Sequence, residues 1–392
     1  MTGYCESHTA LIYDRGGRNR LWALNDITKI EYNRGRDKIS EGSVVISGAS
    51  CSKQRDVLSQ IQSKRHELVI FRGRERVWEG PIFRISDEVD TVSLFAKDIM
   101  AYLEATPLSK VWDNRFVYET QDGITTVTDR LDQIVRYELV TSRTGRTLGG
   151  NTVNIPGWET LDPPINVLPY FEVHHFPNEA RTTALTEAFE TTVGEHIENM
   201  ARSAGVDYTV VGRALHIWDT SRSLGRLRTF TEKDFLGPVI VTEYGADHNQ
   251  GSYVLGQDGI YGEAINPSGL AYYGPWLDVD GAYNEGADND EAEAPTKGAL
   301  NSQAARNTSG RSPVPVEVRV PDNSSVRLGP TLSLNDLVPG VQIPLVATLN
   351  ARARAQLQKL DSVKVTEQSG KEDIQITLVP ATKEDSDEED DD

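Results

Sequence analysis

The apolar residues of this chain come in short bursts. The longest stretches are of the kind seen at 343–349, which Pro344 interrupts. Short runs rich in β-branched and aromatic residues, bounded by Gly or charge, are strand signals. They confine the chain to a fold of many short strands. They also fall far below the ~20 residues that a helix needs to cross a bilayer, so no membrane span is expected. In the first hundred residues the pattern predicts strands at 9–13, 20–24, 27–32, 43–46, 67–71 and 91–96. Residues 76–82 read as the second arm of a hairpin that runs on into another strand. Gly16-Gly17, Arg34-Gly35 and Gly73 punctuate the set. Two short helices are predicted, near 54–62 through Val57, Leu58 and Ile61, and near 97–103 through Ile99, Met100 and Leu103. Such a set reads as a small barrel or sandwich.

A chain of 392 residues exceeds one ordinary domain. After residue 104 the pattern changes. A helix is predicted within 123–140 through Val127, Leu131, Ile134 and Val135. A turn-rich stretch, 141–178, follows, with Pro156, Pro163, Pro164, Pro169 and Pro177. The spacing then predicts one helix over 183–204, carrying Leu185, Phe189, Val193, Ile197, Met200 and Ala201 and stopped by Gly205. Strand character resumes at 207–211 and 214–218, around Gly212-Arg213. It continues at 238–244, 252–255, 314–320, 342–348, 361–366 and 374–379, with a helical piece expected at 349–360. The expected fold is mainly β with α. Two small barrel-like β domains, 1–104 and 206–380, flank a helical connector, 105–205. Residues 256–310, rich in Gly, Asn, Asp, Tyr and Ala, read as an insertion in the second, and 381–392 is an acidic tail. Trp78 and Trp218 lie in apolar-patterned strands and are expected to be buried.

The charge is uneven. Lys and Arg number 40 and Asp and Glu 59, a formal net charge of −19, which excludes a generally basic nucleic-acid binder. Residues 1–100 alone are balanced, with 16 basic and 14 acidic side chains. Eight of the nine residues 384–392 are acidic. They are expected to be a solvated end, ordered only against a basic surface. The two cysteines, Cys5 and Cys51, exclude a disulfide framework and a four-cysteine zinc site. The first residues lack the basic-then-apolar order of a signal peptide.

Catalytic patterns are hard to find. None of the seven histidines forms an H-E-x-x-H pair. His174 and His175 are adjacent, so a strand would aim them at opposite faces. Glu195-His196 reads as the solvated edge of the long helix. No G-x-S-x-G elbow or phosphate loop occurs, and the Gly-rich 145–150 stretch has no lysine. Asp278 and Asp280 would share one strand face near Tyr272, Tyr273 and Trp276. That could serve sugar cleavage, or, with Asp288-Asn289-Asp290-Glu291, calcium, but the spacing fails the EF-hand pattern. An exposed strand is the simpler reading. Arg15, Arg18 and Arg20, and Arg72, Arg74 and Arg76, form basic clusters that suit a solvated face or a protein contact more than DNA. No catalytic, cofactor-binding or metal-binding residue is assigned, and no cofactor is expected.

Three blocks together carry a resemblance. The first is Leu68-Val69-Ile70-Phe71-Arg72-Gly73 through Val77-Trp78-Glu79-Gly80-Pro81-Ile82, then Val92-Ser93-Leu94-Phe95-Ala96-Lys97-Asp98 and Tyr102-Leu103. The second is the 182–205 helix followed by Tyr208-Thr209-Val210-Val211-Gly212-Arg213. The third is Leu334-Asn335-Asp336-Leu337-Val338-Pro339-Gly340-Val341. In this order they resemble the minor tail proteins, or tail hubs, of siphoviruses that infect actinobacteria. The insertion and the acidic tail lie outside the resemblance. It implies a non-enzymatic virion protein at the tail tip, assembled in the host cytoplasm. There a homotrimer, each chain supplying two barrel-like domains, surrounds the DNA channel. Its implied partners are tail-tube or distal tail proteins, tip or fibre proteins and the tape-measure protein, with no sequence-specific DNA binding. The alternatives are a receptor- or glycan-binding tip module and, behind it, a tail-associated hydrolase.

Overall fold

The structure, a computed structural model, describes residues 7–48, 52–109, 111–113, 119–120, 123–124, 126–141, 147–148, 151–152, 171–176, 185–203, 205–220, 222–243, 245–256, 259–280, 297–308, 316–319, 325–349 and 354–381. The first seven strands are β1 His8–Asp14, β2 Arg20–Ala23, β3 Ile27–Gly35, β4 Glu41–Ser47, β5 His66–Arg72, β6 Glu75–Asp87 and β7 Thr91–Lys97. The middle of the chain gives β8 Glu172–His175, β9 Val206–Val211 and β10 Ala214–Asp219. It also holds the helices α1 Met100–Glu104, α2 Val127–Thr141 and α3 Val193–Ser203. Just before the insertion lies β11 Gly251–Leu255, and the insertion itself contributes β12 Tyr261–Ile265, β13 Leu277–Asp280 and α4 Lys297–Thr308. The last strands are β14 Gln342–Ala347, β15 Arg354–Gln368 and β16 Lys371–Pro380.

The fold is mainly β with a few helices, as the short apolar bursts predict. Its large sheet runs from the short strand Phe230–Thr231 through β14, β15, β3, β4, β7, β6, β5 and β1 to β2, and β16 also pairs with β15. Among the described residues the sheet is open, not a closed barrel. Strands of the two expected β units, 1–104 and 206–380, meet in it. Antiparallel pairing sets Ser362–Gln368 against Lys29–Gly35. One core serves both sides: Ile12, Val44, Ile46, Leu68, Ile82 and Leu94 bury together with Phe230, Ile343, Leu345, Leu360 and Val363. Each such side chain contributes about 1.5–3 kcal/mol on burial. Trp78 and Trp218 are both buried, as expected.

The connector has its own core. Leu131, Ile134 and Val135 of α2 and Val193, Ile197 and Met200 of α3 pack on Val206, Tyr208, Leu215 and Ile217. The β9–β10 hairpin, expected in the second β unit, therefore covers these helices instead. Its neighbour β8 joins β10 in parallel register.

Two helical expectations fail for identifiable reasons. The helix predicted over 183–204 begins only at Val193, so it has 11 residues. Phe189 adopts φ 65°, a left-handed conformation that a bulky residue rarely takes and that no helix can pass through. Thr192 and Glu195 then start the helix reciprocally. The Glu195 amide donates to Thr192 Oγ1 at 3.2 Å and the Thr192 amide to Glu195 Oε2 at 3.1 Å. The helical piece expected at 349–360 gives way to β15 from Arg354 onward. Ladders with β14 and β16 outweigh the helix preference of its Ala, Arg, Gln and Leu.

Candidate assembly surfaces

Alternation along β15, β3, β4, β7 and the end of β6 separates two faces. Val363, Val365, Ile30, Tyr32, Val44, Leu94 and Ala96 face the core. The other face is a continuous polar wall that crosses from one β unit to the other. Register carries one row from Asp373 through Thr366, Glu31, Ser43 and Phe95 to Arg84. The next runs from Gln368 through Lys29, Val45 and Ser93 to Ser86. Its bases, Lys29, Arg84, Lys97, Lys364 and Lys371, outnumber its acids, Glu31, Glu41 and Asp373, by two. Lys29 Nζ lies 2.6 Å and Lys364 Nζ 3.2 Å from Glu31. Burial opposes the Glu31 charge, but the two lysines outweigh it and lower its pKa. The Arg84 guanidinium stacks 3.9 Å from the Phe95 ring centroid, and Lys97 lies over Phe83. A shallow hollow of about 440 Å³ sits here, between Glu31, Ser43, Phe95 and Lys364. Nothing in it forms a nucleophile and base pair.

The three sequence blocks converge at one seam beside this wall. Gly80 packs so closely on β7 that a side chain there would fall 1.8 Å from the Lys97 carbonyl oxygen. The next residue, Asp98, is buried and accepts the amides of Ser40 at 2.7 Å and Met100 at 2.9 Å. Its burial pushes its pKa up to about 7, against those hydrogen bonds. Arg213, in the β9–β10 turn, reaches from the connector into the first unit. It pairs with Glu67, and its Nε lies 2.9 Å from Glu79 Oε2. Arg76 Nη2 lies 2.6 Å from the same oxygen, and Tyr102 donates to Glu67 at 2.5 Å. Burial raises the Glu79 pKa despite Arg213 and Arg76. The third block enters through Arg34, which is fully enclosed. It donates to the carbonyls of Leu334 at 3.2 Å and Val77 at 2.5 Å. Gly340, at φ 100°, lies against Trp218. A second charged node holds the same three parts together. Arg36 meets Asp207 at 2.9 Å and Asp361 at 3.3 Å, and Lys359 donates to the Thr220 carbonyl at 2.7 Å. The sequence displayed these residues as motifs but not as one joint, because their contacts span up to 325 positions.

The residues weighed for chemistry stay apart. His174 and His175 do point to opposite faces. His174 stacks on His216 with centroids 5.1 Å apart, and His175 Nε2 lies 2.9 Å from Asp129. His196 is buried, not a solvated edge, because it falls on the same helix face as Val193, Ile197 and Met200, and its ring Nδ1 lies 3.3 Å from the Thr186 hydroxyl. Burial drives its pKa down to about 4. Arg72 and Arg76 are split by a turn at Gly73, φ 59°, so the cluster does not share a strand face. Arg72 pairs with Glu372 at 2.7 Å. Asp278 lies on an exposed strand, with residues 281–296 and the acidic tail outside the described residues. Among the described residues no group of three or more His, Cys, Asp or Glu side chains could hold a metal ion. None of their helices is long and apolar enough to cross a membrane.

No protein-family model and no curated protein matches this chain. Solved structures do. The 43 kDa tail protein of prophage MuSo2 from Shewanella oneidensis superposes with a TM-score of 0.55 at 12% identity, covering 96% of this chain and 97% of that one. Prophage tail protein gp18 from Listeria monocytogenes EGD-e gives 0.53 at 11%, covering 94% of each. A tail protein from Neisseria meningitidis MC58 gives 0.52 at 12%, covering 95% and 96%. The chain shares their fold almost from end to end.

Proposed function

We propose that this chain is a structural component of a tailed-phage virion, the hub at the distal end of the tail tube, and not an enzyme. The observation that carries the reading is the fold shared over at least 94% of both chains with three prophage tail proteins. The continuous polar wall supports it. A ring of chains, three per hub, would set these walls side by side around a channel, with 1–104 and 206–380 as the two β units of each copy. DNA carries one negative charge per about 1.7 Å. A wall with only two more bases than acids does not repel it, although three copies together carry −57, three times the −19 of one. The finer placement in siphoviruses of actinobacteria rests on the three sequence blocks. The partners follow from position: tube or distal tail proteins above, tip or fibre proteins below, and the tape-measure protein within. Assembly would take place in the host cytoplasm. Electron cryo-microscopy of the particle tests this. The expected map has three copies around the tail axis, with Ser43, Ser93 and Thr366 facing the channel. Six copies, or a lone copy on a fibre, would overturn it.

A further inference from the structure

The insertion and the strand that precedes it, β11, form a second sheet, in the order β12–β11–β13, whose two faces differ. Helix α4 covers one. Leu300 and Ala304 close on Val254, and a side chain at Gly262 would collide with the Leu300 backbone. Among the described residues, no element covers the opposite face. Register places Tyr261, Ile265, Leu277 and Val279 on it, with Tyr253 and Leu255 between. Ile265 and Leu277 meet over Gly251, where a Cβ would fall 3.2 and 2.9 Å from them, so the apolar surface is unbroken there. Val279 is 61% and Leu277 44% exposed. A contiguous apolar face of this kind marks an interaction site. Strand β13 is also an edge, for among the described residues it pairs only with β11. An open edge beside an apolar face invites strand addition.

Charge identifies what fits. Residues 256–310 hold nine acids against two bases, with Asp278 in the edge strand and Glu263 on the face opposite α4. The chain itself carries an open edge of opposite sign. Strand β2 terminates the large sheet and, among the described residues, pairs only with β1. Arg15, Arg18 and Arg20 lead into it, no acid lies between 15 and 23, and Leu21 is exposed. Both edges are four residues long. We propose that Arg20–Ala23 of one copy adds to the Leu277–Asp280 edge of the next, so that each insertion clamps the first β unit of its neighbour. Arginine then meets aspartate, and Leu21 covers the apolar face. The contact joins two different patches of one surface, so it is head-to-tail and closes into a ring when the rotation allows. It rests on the ring reading of the function but is tested apart from it.

The test uses the full chain and follows assembly by sedimentation velocity across concentration, at low and high salt. The variants are Asp278→Arg, Arg20→Glu and the two combined. Each single reversal is expected to raise the midpoint of assembly roughly tenfold at low salt, and the combination to restore most of it. Leu21→Cys with Val279→Cys, in a chain whose Cys5 and Cys51 are replaced by Ser, is expected to give covalent multimers on mild oxidation. If the native chain assembles and neither the reversals nor the cysteine pair respond, this contact is wrong and the ring reading stands. The same holds if the single reversals weaken assembly and the combination fails to rescue it. If the native chain stays monomeric at every concentration, both fall.

Discussion

Replacing Gly80 by alanine places one methyl group where the chain has no room for it. The new Cβ would sit 1.8 Å from the Lys97 carbonyl oxygen, 2.7 Å from its carbon and 2.8 Å from Asp98 Cα. All three are backbone atoms, so no rotamer change relieves the clash. Ordinary contact begins at 3.4 Å, so β6 and β7 must separate by about 1.6 Å at this point. Overpacking of this kind costs about 1–3 kcal/mol, and opening the ladder near Ile82 and Ala96 forfeits a further hydrogen bond or two at about 1 kcal/mol each. The expected loss is about 2–5 kcal/mol. With an m-value of about 2 kcal/mol/M, the urea midpoint falls by roughly 1–2.5 M. Equilibrium unfolding followed by tryptophan fluorescence measures it, since buried Trp78 lies two residues away. Gly48→Ala is the control. Gly48 has φ 67° and nothing within 4 Å of a Cβ, so only the left-handed backbone opposes the change, at about 1–2 kcal/mol. A Gly80→Ala variant no less stable than Gly48→Ala would refute the reasoning.

The seam and the insertion give three more expectations. His196, with its pKa depressed by burial to about 4, stays neutral in the fold while the unfolded chain takes up a proton near 6.5. Stability is therefore lost as pH falls from about 6.5 to 4, by about 3 kcal/mol, and His196→Gln should remove that part of the slope; an unchanged difference between denaturation at the two pH values would rule the histidine out. Arg213→Met leaves Glu67 and Glu79 buried without their shared cation and should cost about 3–5 kcal/mol at neutral pH, but less in acid, because burial already raises the Glu79 pKa and favours its neutral form; an equal loss at neutral and acid pH would show that packing, not charge, is at stake. Leu300→Ala should cost about 2–5 kcal/mol within the insertion alone, because its core of Val254, Leu300 and Ala304 is separate from the other two; limited proteolysis should cut the insertion early while the main unfolding transition holds its place.

What could be read from the sequence was local. Alternation gave β1, β3, β4 and β7, and the burial of Trp78 and Trp218 followed from their strands. The helical stripe from Val193 to Met200 was legible too. Its false extension back to Leu185 came from counting Phe189 as one more apolar position, when the Thr192 and Glu195 capping pair was the truer signal. The second half of the strand at 354–368 was legible as 361–366, but its start was hidden because helix-favouring residues fill it, and only partners on both sides make it extended. Long-range pairing left no local trace. Nothing near Ile27–Gly35 says that its partner lies beyond residue 360, nor that Arg213 answers Glu67 and Glu79. The motifs were visible one by one. Their meeting at one joint needed coordinates, because charge complementarity between distant segments has many solutions on paper and one in space.

The pairing of β3 with β15 also sets a schedule. On the ribosome β3 emerges roughly 327 residues before Ser362, its first partner, and at about 5–20 residues per second that gap lasts roughly 16–65 s. Throughout it the edge of the nascent first unit has no strand to close it, and the polar wall stops halfway. An unfinished chain therefore presents only half of this surface. The last strands of the chain complete the wall, and a product truncated before Ser362 keeps an open β3 edge in the middle of it.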